Sequence, residues 1–276
     1  MAPPKVTPQE LKTLAAYVFD LCGIVLDETK AYLLESRLGP LTEEFSCATY
    51  LDLYQKSKTD AIVETKLIDA ISTHETSFFR DGSPFRLFEY KILPDIVDRL
   101  NGTASKSINI WSAACSTGQE VYSITMVLKD LLPDLPKWRI RILGTDISDA
   151  AVTQASYGQF TPIEIGRGLP NEKLSQYFNQ EGKLWKIKDE LRAMAYFQRL
   201  NLMESFTSLG KFDVIFCRNV AIYFDIESRK DLFNRLADQL KPECALVIGS
   251  TESLIGITDR FERKEYQNAV FYALKT

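Results

Sequence analysis

From about Lys106 onward the chain alternates short apolar runs with amphipathic ones, and few folds accept that order. Ile108-Asn109-Ile110-Trp111-Ser112-Ala113 reads as a strand, Gly118 to Leu132 as a helix, Arg139 to Asp146 as a second strand, and Ser148 as the cap of a second helix. Phe212 to Cys217 is a buried strand, a helix follows from about Glu227 to Leu240, and Ala245 to Ser250 is another buried strand. Strands separated by helices lie parallel, because each return path crosses the sheet through a helix, so a doubly wound α/β domain is predicted. Glu262 to Glu265 and Ala269 to Leu274, joined by Gln267-Asn268, predict a closing hairpin at the sheet edge. Between Gly158 and Leu200 the alternation lapses. There Lys183 to Ile187 and Ala193 to Phe197 alternate in the strand manner about a polar turn, which predicts a small antiparallel insertion over about 158–198.

Upstream, to about Asp81, the signals are helical. Thr7-Pro8-Gln9-Glu10 has a hydroxyl cap and a proline for the first turn, Leu11, Leu14, Ala15, Val18, Phe19 and Cys22 recur at helical spacing, and Gly23 ends the run. Lys30 to Leu41, Tyr50 to Lys56 and Asp60 to Ile71 continue the pattern. The predicted plan is a helical domain over 1–82, a linker to about 100, and an α/β domain over 101–276. A chain of 276 residues has room for both cores.

Charge narrows the function. The formal net charge is −4, so no general electrostatic pull toward nucleic acid or anionic lipid is expected. Cys22, Cys47, Cys115, Cys217 and Cys244 are scattered, with no Cys-x-x-Cys pair, so reduced thiols are expected and a metal is not. The first residues lack an apolar signal core and no run approaches a membrane span, so a cytoplasmic protein is expected.

The turn after the first strand, Trp111 to Glu120, is built of small residues and one glycine, Gly118. In open α/β sheets ligands lie at the carboxyl ends of the strands, where this turn sits. The Gly-x-Gly-x-x-Gly pyrophosphate cradle is missing, which disfavours NAD and FAD and leaves a phosphate-free adenosine cofactor. Asp146, at the end of the second strand, can accept from both ribose hydroxyls, and a carboxylate suits a sulfonium. The plainer alternatives are that Glu120 complements its helix dipole and Asp146 caps the next helix. Arg218-Asn219, after the strand ending at Cys217, can serve the amino-acid end of such a cofactor, or Arg218 can make a structural ion pair.

Thr73-His74-Glu75-Thr76-Ser77-Phe78-Phe79-Arg80-Asp81, Trp111 to Ser123, Gly144-Thr145-Asp146-Ile147, and Phe216 to Asp225 together resemble the successive signatures of CheR-type chemotaxis-receptor glutamate O-methyltransferases. The resemblance runs from about Thr7 to the C-terminus. It implies a helical N-terminal domain and a Rossmann-like methyltransferase domain with a small antiparallel subdomain. It further implies transfer of methyl from S-adenosylmethionine to receptor glutamates, giving methyl esters and S-adenosylhomocysteine. By motif, Arg80 and Tyr223 correspond to the residues nearest the transferred methyl. Cofactor contacts carry over to His74, Thr76, Arg80, Glu120, Asp146, Asn201, Leu202, Arg218 and Asn219, with Asn201-Leu202 facing the adenine edge. Partners implied are the cytoplasmic domains of methyl-accepting receptors, met by a monomer, with no nucleic acid and no membrane insertion.

Two departures qualify the resemblance. His74, the chain's only histidine, stands where the family commonly has asparagine, and a packed or solvated role is the simpler reading. The turn around Asn179 to Lys183 is short for a subdomain that grips a receptor's C-terminal pentapeptide by strand addition, so such tethering is not expected. Of a basic receptor-facing helix, Lys30 and Arg37 remain. A tyrosine at 223 can also be a core residue. Rival functions are a methyltransferase for another protein or a small molecule, and a non-catalytic module that senses the cofactor.

Overall fold

The computed structural model describes residues 5–103, 106–132 and 134–275. Four helices open the chain: α1 (Pro8–Cys22), α2 (Ala31–Glu44), α3 (Tyr50–Ser57) and α4 (Ala61–Ile71). Thr7 and Glu10 form a capping box at the start of α1, a device worth about 1 kcal/mol. Gly23 closes α1 in the left-handed conformation at φ 74°. Leu14, Val18, Leu34, Leu38, Leu53, Val63 and Leu67 meet in the core of this bundle.

Residues 83–100, the linker of the sequence reading, are helical. They form α5 (Ser83–Leu87), a π turn over Phe88–Ile92, and α6 (Leu93–Leu100). Phe85, Phe88, Ile92 and Ile96 lie on one face of the main sheet beside Val121, Ile124 and Leu128. Phe85 and Phe88 both pack on Phe216, at centroid distances of 6.3 and 5.6 Å.

Then come β1 (Ser107–Ala113), α7 (Gln119–Leu131), β2 (Arg139–Asp146) and α8 (Asp149–Tyr157). The stretch that follows holds β3 (Gln159–Phe160), α9 (Pro162–Gly166), α10 (Asn171–Tyr177), β4 (Phe178–Glu181), β5 (Leu184–Ile187), α11 (Asp189–Arg192) and β6 (Ala195–Arg199). The chain ends through β7 (Phe212–Cys217), α12 (Ile226–Gln239), β8 (Leu240–Ile248), β9 (Phe261–Tyr266) and β10 (Ala269–Leu274). The main sheet is seven-stranded in the order β6-β2-β1-β7-β8-β10-β9. Its first five strands pair in parallel, and β10 and β9 are antiparallel at one edge. The order reverses direction at β1, between β2 and β7, so a crevice opens there at the strands' carboxyl ends.

Side chains of the strands alternate between two cores. Ile110, Ile142, Val214 and Val247 face α5–α7, while Trp111, Leu143, Ile215 and Leu246 face α12. The closing hairpin turns through Gln267 and Asn268, both left-handed at φ 47° and 64°.

The insertion differs from expectation in its strands. Lys183 to Ile187 does not pair with Ala193 to Phe197. β5 pairs instead with β3 and β4 in a three-stranded antiparallel sheet, and β6 runs parallel to β2 as the edge of the main sheet. A two-sided strand and a hairpin arm share the same period, which is why sequence alternation merged them. Asn179 to Glu181 belong to β4, leaving Gly182-Lys183 as the turn. Arg37 is half-exposed and also holds the end of the bundle. Its guanidinium donates to the Ile71 and Ser72 carbonyls at the end of α4 and to Thr73 Oγ1.

Candidate functional site

The turn between β1 and α7 folds tightly because three of its residues take left-handed backbone: Ala114 (φ 63°), Ser116 (51°) and Gly118 (96°). Gly118 is required twice over. A Cβ there would press on Ala155 at 3.0 Å and on the Tyr122 ring at 3.3 Å. The turn brings the Ser116 N–H to Asp146 Oδ2 at 2.8 Å, while Ser148 N–H donates to Oδ1 at 3.1 Å. Asp146 is therefore both a cap for its own loop and a rigidly aimed acid at the end of β2. Each oxygen keeps a lone pair for a ligand. Burial pushes this carboxyl above its ordinary range, and the two N–H bonds act in the opposite direction.

Glu120, in the first turn of α7, accepts from Ser112 Oγ at 2.8 Å and from Arg218 Nη1 at 2.7 Å. Arg218 follows β7 and is almost wholly buried, with its other terminal nitrogen on the Arg80 carbonyl (2.7 Å) and on Asp81 (2.9 Å). The guanidinium lies over the Phe85 ring, 5.4 Å from its centroid. Its Nε–H is buried and has no partner among the described residues. Thus the ion pair and the ligand role, alternatives in sequence, are compatible: two nitrogens hold the site together and the third is unclaimed.

A cleft of about 900 Å³, its mouth included, gathers these groups. It is lined by His74, Thr76, Arg80, Glu120, Asp146, Asn201, Leu202, Arg218, Asn219 and Tyr223, so the ten residues assigned to cofactor contact or methyl transfer meet in one place. Their settings differ. Arg80 donates from its guanidinium to the Glu75 carbonyl. His74 is half-buried, and its carbonyl accepts from Ser116 Oγ at 3.4 Å. Asn201 is partly committed to structure: Nδ2 donates to the Leu21 carbonyl at 2.8 Å and Oδ1 accepts from Met203 N–H at 3.0 Å, which leaves one N–H and one lone pair of the amide.

Sequence reasoning missed part of the wall. Cys22 and Ile24, at the end of α1, line the cleft, as do Val220 and Phe224. The helical unit is docked there by hydrogen bonds from Ser148 Oγ to Asp69 (2.6 Å) and from Val25 N–H to the Tyr223 carbonyl (2.9 Å). Glu252, beyond β8, was also missed. One of its oxygens accepts from both Asn219 N–H and Gly249 N–H at 2.7 Å, holding Asn219 at φ 56°. An acid three residues after the glycine that ends a strand was the available signal.

Burial pushes the Cys22 thiol up to about 11 and those of Cys115 and Cys217 well above their ordinary value, so none is a thiolate nucleophile at neutral pH. Among the described residues no cluster of three or more His, Cys, Asp or Glu could hold a metal, and no helix is long and apolar enough to cross a membrane. The cleft pairs an acid for hydroxyl groups with a buried donor for a carboxylate, lacks a phosphate cradle, and has a cation, Arg80, in its wall. That donor set fits a nucleoside carrying an amino acid.

Residues 74–270 match the family model for the CheR methyltransferase SAM-binding domain, and residues 9–72 match that for the CheR methyltransferase all-alpha domain. Chemotaxis protein methyltransferase 1 of Pseudomonas aeruginosa is 37% identical over 260 residues, spanning 92% of this chain and 93% of its own. A chemotaxis protein methyltransferase of Vibrio parahaemolyticus is 36% identical over 280 residues and spans 98% of each chain. One from Borreliella burgdorferi is 39% identical over 257 residues, spanning 91% of this chain and 90% of its own.

Proposed function

The chain belongs to the CheR methyltransferase family, and on that premise we propose that it transfers the methyl group of S-adenosylmethionine to glutamate side chains in the cytoplasmic domains of chemotaxis receptors. The observation that carries the reading is that Arg218, whose Nε–H is buried and unpartnered, lines the same cleft as a doubly anchored Asp146. An orphan donor of this kind costs about 1–3 kcal/mol in the absence of an acceptor, so a carboxylate ligand is rewarded there.

The residues divide the work as follows. Asp146 takes the ribose hydroxyls, Arg218 Nε the carboxylate of the amino-acid end, and the Asn201-Leu202 backbone the adenine edge. Glu120 keeps Arg218 in place. His74 and Thr76 close the cleft from the segment before Arg80, and Asn219 closes it from the turn after β7. When bound, S-adenosylmethionine supplies a methyl group activated by a positively charged sulfur.

The acceptor glutamate, with an ordinary pKa of about 4.3, is already an anion at neutral pH, so no general base is needed. Arg80 orients the incoming carboxylate and Tyr223 aligns its oxygen, which converts an encounter into an in-line geometry. The apolar walls from Ile24, Val220 and Phe224 strip water from the meeting charges. The protein acts as a monomer in the cytoplasm, with its helical unit over 1–82 and its methyltransferase unit over 101–276. The test is incubation with methyl-labelled S-adenosylmethionine and receptor cytoplasmic fragments. Base-labile label on receptor glutamates is expected, lost in Arg80→Ala. Label that never reaches a receptor, or that resists base, overturns the reading.

A further inference from the structure

The segment 72–82 crosses from the helical unit to the sheet, and each part of the protein holds it through an arginine. Arg37 of α2 grips its start at Ser72 and Thr73, and Arg218 grips its end at Arg80 and Asp81. The middle is held by the small sheet's unit. Arg167, following α9, accepts the Phe78 N–H on its carbonyl at 3.2 Å, and its guanidinium pairs with the Glu75 carboxylate. Glu75 in turn accepts the Arg80 guanidinium on its own carbonyl.

Packing fixes the same point. The Phe78 ring is fully buried edge-on between Phe160 and Phe178, at 5.0 and 5.6 Å, inside the small unit's core. Gly168 lies against the Phe78 backbone so closely that a Cβ would overlap the Phe78 carbonyl oxygen, and its φ of +89° is itself a glycine conformation. Phe79 and Asp81 are left-handed at φ 49° and 69°. With the backbone at Phe78 pinned and those on either side of Arg80 strained, Arg80 has little freedom of its own.

We propose that Gly168 and Arg167 are positioning residues for methyl transfer: through Phe78 and Glu75 they set where the Arg80 guanidinium stands in the cleft. This rests on the role assigned to Arg80 above. It gives the small antiparallel unit a task inside the reaction, separate from any contact it makes with a partner.

The test measures turnover at saturating S-adenosylmethionine and receptor fragment, normalised to S-adenosylhomocysteine-binding sites, with hydrogen exchange of the peptide covering 73–81 followed in parallel. Gly168→Ala should lower kcat on the order of 10–100-fold, as displacement of a positioning group by about an ångström does. Arg167→Ala removes a half-exposed ion pair and should cost about two- to fivefold, restored by Arg167→Lys. In both, exchange over 73–81 should rise while exchange in β1 and β7 stays at the wild-type level. Wild-type turnover per binding site in Arg167→Ala and Gly168→Ala, or loosening that spreads equally to the sheet, overturns the proposal. If the wild-type protein labels no receptor, the functional reading has failed instead. The exchange data then decide the positioning claim: unchanged protection over 73–81 refutes it.

Discussion

Replacing Arg218 by lysine separates the two duties this residue carries. The guanidinium makes three hydrogen bonds, to Glu120, Asp81 and the Arg80 carbonyl, from two different nitrogens. One ammonium cannot reach both sides of that fork. Losing the Nη2 side removes two bonds made by the cation, to Asp81 and the Arg80 carbonyl, which correspond to about 3–6 kcal/mol at about 1.5–3 each. The Asp81 side chain is 28% exposed, so water recovers part of the loss, and a net destabilisation of about 2–4 kcal/mol follows. With a urea m value of about 2–3 kcal/mol/M, the midpoint should fall by about 1 M. Lysine also lacks the Nε–H, so S-adenosylhomocysteine affinity by calorimetry should drop about 10–100-fold. Wild-type midpoint and affinity in Arg218→Lys would refute the reasoning. Lost stability with intact affinity would keep the ion network but remove Nε from the ligand contacts.

Other expectations are smaller or simpler. Tyr223→Phe should leave thermal stability within about 0.5 kcal/mol, since the hydroxyl has no partner among the described residues, yet lower kcat at least tenfold. Asp146→Asn should weaken S-adenosylhomocysteine binding about 10–100-fold, because an amide nitrogen must face one of the two N–H donors. Burial raises the Asp146 pKa, so in the free protein its ionised form is the costlier one, and the associated stability is present at low pH and lost as pH rises through the raised value. Ligand binding needs the ionised form and runs the other way. Calorimetry should therefore find affinity falling on acidification at a pH above the ordinary aspartate range, and Asp146→Asn should lack that dependence. Gly144→Ala places a Cβ 2.6 Å from the Phe197 ring and should cost about 1–3 kcal/mol by thermal melt, through overpacking where β2 meets β6.

The sheet strands and the bundle helices were legible because their apolar periods are undisturbed: β2 and β7 coincide with the runs Arg139 to Asp146 and Phe212 to Cys217. Residues 83–100 were not, since no local apolar period was read there and the helix is sustained by packing on Phe216. β6 was read as a strand at Ala193 to Phe197, but its pairing escaped, because its neighbour β2 is some fifty residues away and alternation carries no record of its partner. At the site, motif order assembled the residues, but their commitments were invisible. Nothing in Asn201 announces a bond to Leu21, and nothing in Cys22 or Ile24 announces a place in the cleft wall. Those are properties of how the two units dock, and docking leaves no local pattern.

The outermost strand β9 has a consequence for life at high protein concentration. Glu262, Arg263, Lys264 and Glu265 are exposed in succession along an edge that no other strand covers among the described residues. A second chain aligning there would have to dehydrate four neighbouring charges for a few amide contacts. The sheet thus terminates in a fringe that discourages fibril-like growth, and neutralising it would remove that protection.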